Sequence, residues 1–536
     1  MTMSRLTGRV FSLLLALFFA VGISMAQTTT YTDWTINGDV VNNGTIRVGR
    51  DIINNTTGTV HVTGTGVVRL YGNVGAITAH ALRSTTGTYP ISFTWLDLRA
   101  NRPTTCNVDI TVTDTLRIGD RTTAYTAAGV GFSIGSRTLT LGRQAYYMPT
   151  STAALTFSGG TVNYTLASGS QNVLVSNATT TYGTLGLTGN ANMTIPNAAA
   201  GSVAAATLTH SGTGTLTVND TTNITTSASI GTLATVASGK LLRFSGSATS
   251  SIATVSANAG TIQNNSNQAL NITTVTTNAG TIDNASTGTT TITTLAANAG
   301  TISESGVTGT MAFTNSAASN GTITNSSTGG TITFVKNLSG TGTISQTSSG
   351  TINVGGSFVQ NTYTLTGTNG TVVYDSGSAQ SIIATSYYHL TISSATDTTI
   401  ANYKTAAGAI TLTGNLVVNS GNTLDMQGYV ITSPGGSSSN SGKIKWSADN
   451  AYVGGSGVTE FYGSTTGNIA AGSNYGDLLF SGTGMKTFGT SPITATGNMT
   501  VNSGASVTVG SVTLNINGRL NAIGNITNNG TVNVGP

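Results

Sequence analysis

The chain has 536 residues, of which 69 are Gly, 7 are Pro, 6% are aromatic and 7% are charged, against about 25% charged residues in ordinary globular proteins. Its 20 Lys and Arg and 16 Asp and Glu give a formal net charge of +4. Basic residues this sparse exclude sequence-independent nucleic-acid binding, which needs clustered Lys and Arg. Thr, Val and Ile recur throughout, which favours β structure over a disordered linker.

Residues 1–26 form a predicted signal peptide. Arg5 and Arg9 precede an apolar run at 10–23, and Ser24-Met25-Ala26 follows as a small-x-small cleavage pattern. Cleavage near Ala26 leaves a mature chain that begins at Gln27. The run is too short to span a membrane, and no later segment approaches 18 apolar residues. We therefore expect a secreted or cell-surface protein whose mature chain has no transmembrane segment.

Three further segments follow, which we interpret as zones of one solenoid. Residues 27–143 form a segment decorated with ten Arg and seven Asp. Residues 144–370 are almost neutral and rich in Thr, Asn and Gly, and residues 371–536 contain a duplicated module. The differences lie in surface charge, so they do not indicate independent domains.

A repeated triplet in the neutral segment predicts the fold. Gly-Thr-Ile stands at 260–262, 280–282, 300–302, 321–323 and 342–344, at intervals of 20, 20, 21 and 21 residues. Each interval holds two short alternating segments separated by Gly, Asn and Ser turns, the pattern of one coil of a β-solenoid. We predict an all-β, right-handed parallel β-helix with roughly 20–25 residues per coil and roughly 20–25 coils.

The same stacking explains the low charge. In a parallel solenoid each residue lies about 4.7–4.9 Å from its equivalent one coil later. Like charges in a repeated position would repel each other, whereas Thr hydroxyls and Asn amides gain from self-stacking. We therefore expect Thr pairs, amide ladders and a continuous core of Ile and Val.

A longer repeat overlies the coils. GTVNYTLASGSQNV at 160–173 is similar to GTVVYDSGSAQSI at 370–382, and a Tyr-x-x-Leu element beginning at Tyr182, Tyr387 or Tyr475 recurs downstream. TGNLVVNSGNTLDMQG at 413–428 likewise has a relative at 496–511. Tyr and Leu at fixed offsets favour core positions over ligand contacts.

The two ends of the mature chain contain similar sequences. GDVVNNGTIRVG at 38–49 and GNITNNGTVNVG at 524–535 share NNGT. One interpretation is that both are the same coil subtype. The other is that Asn42 and Asn43 of one molecule meet Asn528 and Asn529 of another, which would build a fibre head to tail.

The coils resemble a known group of proteins. GTVVYDSGSAQSIIATSYYHLTI at 370–392 and TGNLVVNSGNTLDMQGY at 413–429, with the signal peptide and the Thr/Asn/Gly coils, are similar to repeats in secreted β-solenoid surface proteins of Gram-negative bacteria. That group includes filamentous-haemagglutinin-like and autotransporter-like adhesins. The resemblance covers most of residues 30–536, and its motifs specify a coil rather than an activity. It implies an extracellular adhesive or structural role.

The charged residues predict a solvated surface ladder rather than a catalytic site. Glycoside hydrolysis needs two carboxylates about 5–10 Å apart, whereas Asp114 and Asp120 would lie roughly 20 Å apart along one strand. Across coils, an offset of 22–23 residues predicts that Asp97 with Arg99 stacks near Asp120 with Arg121. We predict no catalytic, cofactor-binding or metal-binding residue. We name Arg99, Arg102, Arg117 and Arg121 as candidate surface-binding residues.

The histidines and the cysteine do not indicate a reactive or metal-binding site. The four histidines have no metal-ligand spacing, and the single cysteine, Cys106, is interpreted as a small buried apolar residue. The predicted function is therefore passive adhesion or structure at the bacterial surface, without catalysis, toward a host, glycan or neighbouring-cell surface. The alternatives are a self-assembling fibre subunit and a polysaccharide-binding or polysaccharide-degrading β-helix.

Overall fold

The computed structural model describes residues 25–30, 33–70, 80–85, 87–98, 104–118, 132–143, 145–147, 155–175, 179–196, 202–393, 403–432, 439–447, 455–469, 472–489 and 492–535. The chain divides into two compact units, Met1–Thr273 and Thr274–Pro536. Every regular element in the described ranges is a β-strand, and the strands stack in parallel as coils of a β-solenoid with about 20 turns in total. The predicted all-β parallel solenoid is confirmed. No helix that could span a membrane occurs in these ranges.

The strands of the first unit are short, with a few longer ones of up to 16 residues. They are β1 Met25–Thr30, β2 Trp34–Ile36, β3 Val40–Val48, β4 Ile52–Asn54, β5 Val60–Thr63, β6 Val67–Leu70, β7 His80–Ser84, β8 Ile91–Leu98, β9 Thr104–Cys106, β10 Ile110–Ile118, β11 Phe132–Ser133, β12 Thr138–Leu141, β13 Ala145–Tyr147, β14 Thr156–Tyr164, β15 Ser170–Asn172, β16 Thr180–Leu187, β17 Asn192–Ile195, β18 Val203–Val218, β19 Thr222–Val236, β20 Leu241–Phe244, β21 Ser250–Asn258 and β22 Thr261–Asn264.

Strand β23, Leu270–Asn278, contains the boundary between the units. The strands after it are β24 Thr281–Asn284, β25 Thr289–Asn298, β26 Thr301–Glu304, β27 Thr310–Phe313, β28 Ala317–Ser319, β29 Thr322–Asn325, β30 Thr331–Phe334, β31 Leu338–Ser339, β32 Thr343–Gln346, β33 Thr351–Val354, β34 Thr362–Thr364, β35 Thr371–Tyr374, β36 Gln380–Ile382, β37 Ser386–Tyr387, β38 His389–Ile392, β39 Tyr403–Ala406, β40 Ile410–Leu412, β41 Leu416–Val418, β42 Thr423–Asp425, β43 Ile431–Thr432, β44 Ser439–Asn440, β45 Lys443–Trp446, β46 Val458–Phe461, β47 Gly467–Ile469, β48 Gly472–Tyr475, β49 Asp477–Phe480, β50 Met485–Phe488, β51 Ile493–Ala495, β52 Met499–Val501, β53 Ser506–Val509, β54 Thr513–Ile516, β55 Leu520–Ala522, β56 Asn525–Asn528 and β57 Thr531–Val534.

Coil length varies more widely than the sequence predicts. In the second unit Thr281, Thr301, Thr322 and Thr343 are successive partners, so the triplet repeat marks equivalent positions. Elsewhere the coil from Lys443 to its partner Val458 is shorter than the predicted length, and the coil from Val60 to its partner Ile91 is longer. The paired strands keep their register in both coils.

The Gly-Thr-Ile triplet has a separate physical role for each residue. Thr322 lies on the outer face, and Ile323 is fully buried in the core. A Cβ on Gly321 would overlap the carbonyl oxygen of Gly300 one coil earlier. Only Gly therefore permits the main chains of successive coils to come this close.

Amide ladders line the interior corners of the second unit, as predicted. Asn278 Nδ2 donates to Asn298 Oδ1 at 2.7 Å, and Asn298 Nδ2 donates to Ser319 Oγ at 2.9 Å. These three side chains are at most 2% exposed. Their mutual hydrogen bonds satisfy polar groups that would otherwise be buried without partners.

The module tyrosines are core residues, which confirms the prediction. In the first unit Tyr164 Oη lies 3.4 Å from Tyr182 Oη, and in the second Tyr374 Oη lies 3.0 Å from Tyr387 Oη. All four rings are buried, and Tyr475 of the third copy is buried as well. The similar segments thus build the same hydroxyl pair in two places.

Candidate functional site

One row of charged side chains runs through four consecutive coils of the first unit. Arg47 on β3 pairs in register with Arg69 on β6, Arg69 with Asp97 on β8, and Asp97 with Arg117 on β10. We call these four residues the Arg column. It places three positive charges and one negative charge at one repeated position, where stacking of like charges is unfavourable.

Asp97 forms an ion pair with Arg69. Arg69 Nε donates to Asp97 Oδ2 at 3.0 Å, and the Asp97 side chain is fully buried, whereas that of Arg69 is 19% exposed. The burial differs from the predicted solvated ladder. The residue opposite Asp97 in register is Arg117, whereas Asp120, Arg99 and Arg121 of the predicted stack lie outside the described residues.

Arg117 is held by an aromatic ring. Its guanidinium carbon lies 5.5 Å from the centroid of Trp95, within the range of a cation–π interaction. Among the described residues, its Nε and the Trp95 Nε1 have no hydrogen-bond partner. Arg117 as a whole is half-buried, and its Nε atom is buried.

The ion pairs of a neighbouring charged cluster balance each other. Arg83 Nε lies 3.0 Å from Asp51 Oδ2, and Arg83 and Arg50 lie 3.9 Å and 3.7 Å from Asp33. Two cations and two carboxylates therefore neutralise each other within the protein. This cluster has no surplus charge for a ligand.

An outer cluster in the second unit is balanced as well. Lys445 Nζ lies 4.3 Å from the ring centroid of Tyr462, 5.2 Å from that of Tyr403, and 4.0 Å from Asp425 Oδ2. Tyr462 Oη donates to Asp425 Oδ1 at 2.6 Å. The rings and the carboxylate already enclose the lysine, so this arrangement stabilises the coil stack.

No family model, no curated protein and no solved structure matches this chain. The resemblance to Gram-negative surface adhesins therefore rests on the quoted motifs alone and stays a prediction.

Two members of the Arg column are named from the sequence alone, Arg117 as a candidate surface-binding residue and Asp97 as part of a charged ladder. Of the candidate surface-binding residues, Arg117 belongs to the column, and Arg99, Arg102 and Arg121 lie outside the described residues. Arg47 and Arg69 were missed. Their spacing was the available signal, because it matches one predicted coil length.

The two NNGT segments share a local structure. Gly44 N donates to Asn42 Oδ1 at 3.1 Å, and Gly530 N donates to Asn528 Oδ1 at 3.0 Å. Strand β3, which holds Asn42 and Asn43, pairs with β1 on one edge and with β5 and β6 on the other. The β1 residue opposite Asn42 is Met25, which the predicted cleavage near Ala26 would remove. The contact of these residues with Asn528 and Asn529 stays a prediction.

A buried carboxyl group lies within an amide ladder of the second unit. Asn284, Glu304, Asn325 and Gln346 are successive partners, and all four are buried. Asn284 Nδ2 donates to Glu304 Oε2 at 2.7 Å, and Glu304 Oε1 has no hydrogen-bond partner among the described residues. Burial, and to a smaller extent the nearby Asp283, raises the pKa of Glu304 to about 8. The triplet repeat marks this position, the second residue after each Gly-Thr-Ile, but does not predict the change in pKa.

At other interior positions, long polar side chains donate hydrogen bonds to main-chain carbonyl oxygens. Gln380 Nε2 donates to the carbonyl oxygens of Val354 at 2.7 Å and Gly356 at 2.6 Å. Lys404, its partner one coil later, donates in the same manner to Ser376 and Ser378. Burial lowers the pKa of Lys404 to about 8, although its interaction with Asp375 opposes this change. These side chains satisfy main-chain carbonyls in the interior and are not placed to meet a ligand.

The last candidates are the histidines and groups of metal-ligating residues. His210 is 2% exposed, and burial lowers its pKa. In the part of the chain that the structure describes, no three His, Cys, Asp or Glu residues are grouped to hold a metal ion.

We expect the Cys106 thiol to be unreactive in the folded protein. Its thiol is 2% exposed, and burial raises its pKa, so the reactive thiolate is almost absent. We expect a water-soluble disulfide reagent to label the native chain more than about 100-fold more slowly than the chain in denaturant. Absorbance of the released thiol measures the rate, and equal rates in both states would contradict the buried placement.

Proposed function

We propose that the chain is an extracellular structural and adhesive protein of the bacterial surface, which binds other surfaces through its outer faces without chemical turnover. The signal-peptide pattern of residues 1–26 supports export. The observation that carries the proposal is the regular parallel coil stack, which presents the same residue type on its outer face in successive coils, as at Thr281, Thr301, Thr322 and Thr343.

The use of the other carboxylates supports passive binding. Asp39 Oδ1 accepts a hydrogen bond from His61 N at 2.8 Å, and Asp109 Oδ1 accepts one from Thr138 N at 2.8 Å. In the second unit Asp477 Oδ1 accepts one from Asn498 N at 2.7 Å. Each carboxylate thus binds the main chain of the next coil, which is a structural use rather than acid–base chemistry.

Export and adhesion can be tested on the whole chain expressed in a Gram-negative host. We expect N-terminal sequencing of the exported protein to begin at Gln27. We also expect saturable retention on beads coated with polygalacturonate, dextran sulfate or neutral dextran, with the length distribution of the polymer unchanged. Shortening of a polymer would contradict passive binding, and the absence of retention on all three surfaces would contradict adhesion.

A further inference from the structure

An exposed tyrosine lies on the outer face of the second unit. Tyr403 is 38% exposed and begins β39, where it pairs in register with Thr423 on β42. The next residue, Lys404, is buried, so the alternation of the strand places Tyr403 on the outer face. A single exposed aromatic residue is common on protein surfaces. Tyr403, however, belongs to a cluster.

Two tyrosine rings of this cluster contact one ammonium group. Lys445 Nζ lies 5.2 Å from the ring centroid of Tyr403 and 4.3 Å from that of Tyr462, within the range of cation–π interactions. Tyr462 Oη donates to Asp425 Oδ1 at 2.6 Å, which fixes the second ring. We call these four residues the tyrosine cluster. Lys445 and Asp425 are positioning residues within it.

The charged groups in and beside the tyrosine cluster are paired. Lys445 Nζ lies 4.0 Å from Asp425 Oδ2, and Lys443 Nζ lies 3.2 Å from Glu460 Oε2. An ionic ligand would have to compete with these ion pairs, whereas a neutral ligand leaves them intact. The Lys443 side chain is 34% exposed, and its ammonium group can donate further hydrogen bonds.

Gln427 has an uncommon main-chain conformation next to the cluster. Its φ angle is 51°, a value that residues with a Cβ atom rarely adopt. Its N–H donates to Asp425 Oδ1 at 2.9 Å, and its carbonyl oxygen accepts a hydrogen bond from Ser447 N at 2.7 Å. These bonds hold the exposed Gln427 in place. Strain of this kind is concentrated at functional sites, and an amide can both donate to and accept from a hydroxyl group.

We infer that the tyrosine cluster is a binding site for a neutral polysaccharide, with a sugar ring against Tyr403 and sugar hydroxyls paired with Gln427 and Lys443. This inference rests on the proposed adhesive function and names its ligand class. The C–H groups on one face of a hexose pack on an aromatic ring, whose face is negative. The strands that carry the cluster span three coil steps, or about 14 Å, which is longer than one sugar ring. A chain of sugars therefore fits better than a single sugar.

The test measures retention of the exported chain on neutral dextran, with dextran sulfate and polygalacturonate as comparison surfaces. We expect saturable retention on neutral dextran that does not change between about 0.05 and 0.5 M salt, because the ligand carries no charge to be screened. Tyr403→Ala should weaken binding about tenfold, whereas Tyr403→Phe should keep it within about twofold, since the ring remains. Equal losses in these two variants, or loss of retention at high salt, would overturn the inference.

The matched control is Tyr429→Ala. Tyr429 is 40% exposed and lies in the turn after β42, outside the ring contacts of Lys445. We expect this variant to bind dextran like the unchanged chain, with the same far-UV circular dichroism. Equal losses in Tyr429→Ala and Tyr403→Ala would overturn the inference, because they would indicate a general effect of exposed aromatic rings.

Gln427→Gly separates binding from folding. Glycine adopts a positive φ angle without a steric cost, so the urea midpoint of unfolding should not fall. Dextran binding should nevertheless weaken about threefold, because one hydrogen-bonding side chain is lost. Unchanged binding by this variant, or a fall in the midpoint together with binding, would overturn the assigned role of Gln427.

The comparison surfaces separate failure of this inference from failure of the proposed function. Retention on dextran sulfate or polygalacturonate without retention on neutral dextran would keep the adhesive function and overturn the neutral-polysaccharide site. Retention on neutral dextran that Tyr403→Ala leaves unchanged would also keep the function and overturn the site. The absence of retention on all three surfaces would contradict both.

Discussion

Replacement of Gly321 by alanine is expected to destabilise the second unit by about 3 kcal/mol or more. The added Cβ would overlap the carbonyl oxygen of Gly300 and lie 2.6 Å from the carbonyl carbon of Ala299. Both are main-chain atoms, so neither can rotate away as a flexible side chain could. The coils would have to separate at the main-chain hydrogen bond from Thr322 N to Gly300 O, which is 2.9 Å long. Urea unfolding followed by far-UV circular dichroism measures the change.

A matched control is available in the same unit. A Cβ on Gly377 would meet no atom within 4 Å, and Gly377 has no positive φ angle. Gly377→Ala should therefore leave the free energy of unfolding within about 1 kcal/mol of the original value. Equal stability of the two variants would show that successive main chains are not in the described contact at Gly321.

Replacement of Glu304 by glutamine is expected to remove a pH-dependent loss of stability. The folded-state pKa is raised to about 8 from 4.5, chiefly by burial, so the folded chain holds a proton that the unfolded chain releases. The stability of the original protein is then complete below pH 4.5, falls as the pH rises, and is constant above pH 8. Because screening reduces the full electrostatic value, we expect Glu304→Gln to be more stable by about 2–4 kcal/mol above pH 8.

The neighbouring residues of the ladder explain why an amide side chain fits at position 304. Asn284 Nδ2 donates to Gly288 O at 2.9 Å, and Asn325 Nδ2 donates to Gly330 O at 3.1 Å. A glutamine at 304 has the donor that an ionised carboxylate lacks. Urea titrations of both proteins from pH 4 to pH 9 measure the difference. Two curves that stay parallel over this range would show that Glu304 is not buried in its ladder.

The sequence predicts the fold best where coils have equal lengths. The Gly-Thr-Ile interval correctly aligns Thr281, Thr301, Thr322 and Thr343. This works because, when the interval is constant, equivalent positions in successive coils can be found from residue numbers alone. The first unit lacks such an interval. There the segments between strands differ in length, and an offset cannot be assigned to a coil without the structure.

The same limit applies to the candidate site. The offset between Arg47 and Arg69 falls within the predicted coil length, but that between Arg69 and Asp97 exceeds it. Asp97 therefore could not be aligned with Arg69 by counting residues. Burial of Asp97 depends on packing in three dimensions, which neither composition nor spacing encodes. Glu304 was recognisable as a repeated polar position, but only the structure shows that this position points inward.

Because coil length is variable, such a chain can accept insertions and deletions between its strands. The short coil from Lys443 to Val458 and the long coil from Val60 to Ile91 keep their partners in register equally well. A peptide inserted between two strands would therefore alter the surface while every core residue kept its neighbour. Such a scaffold can acquire, lose or exchange recognition loops one coil at a time without any change in its core. This holds for evolution and for grafting of loops in the laboratory.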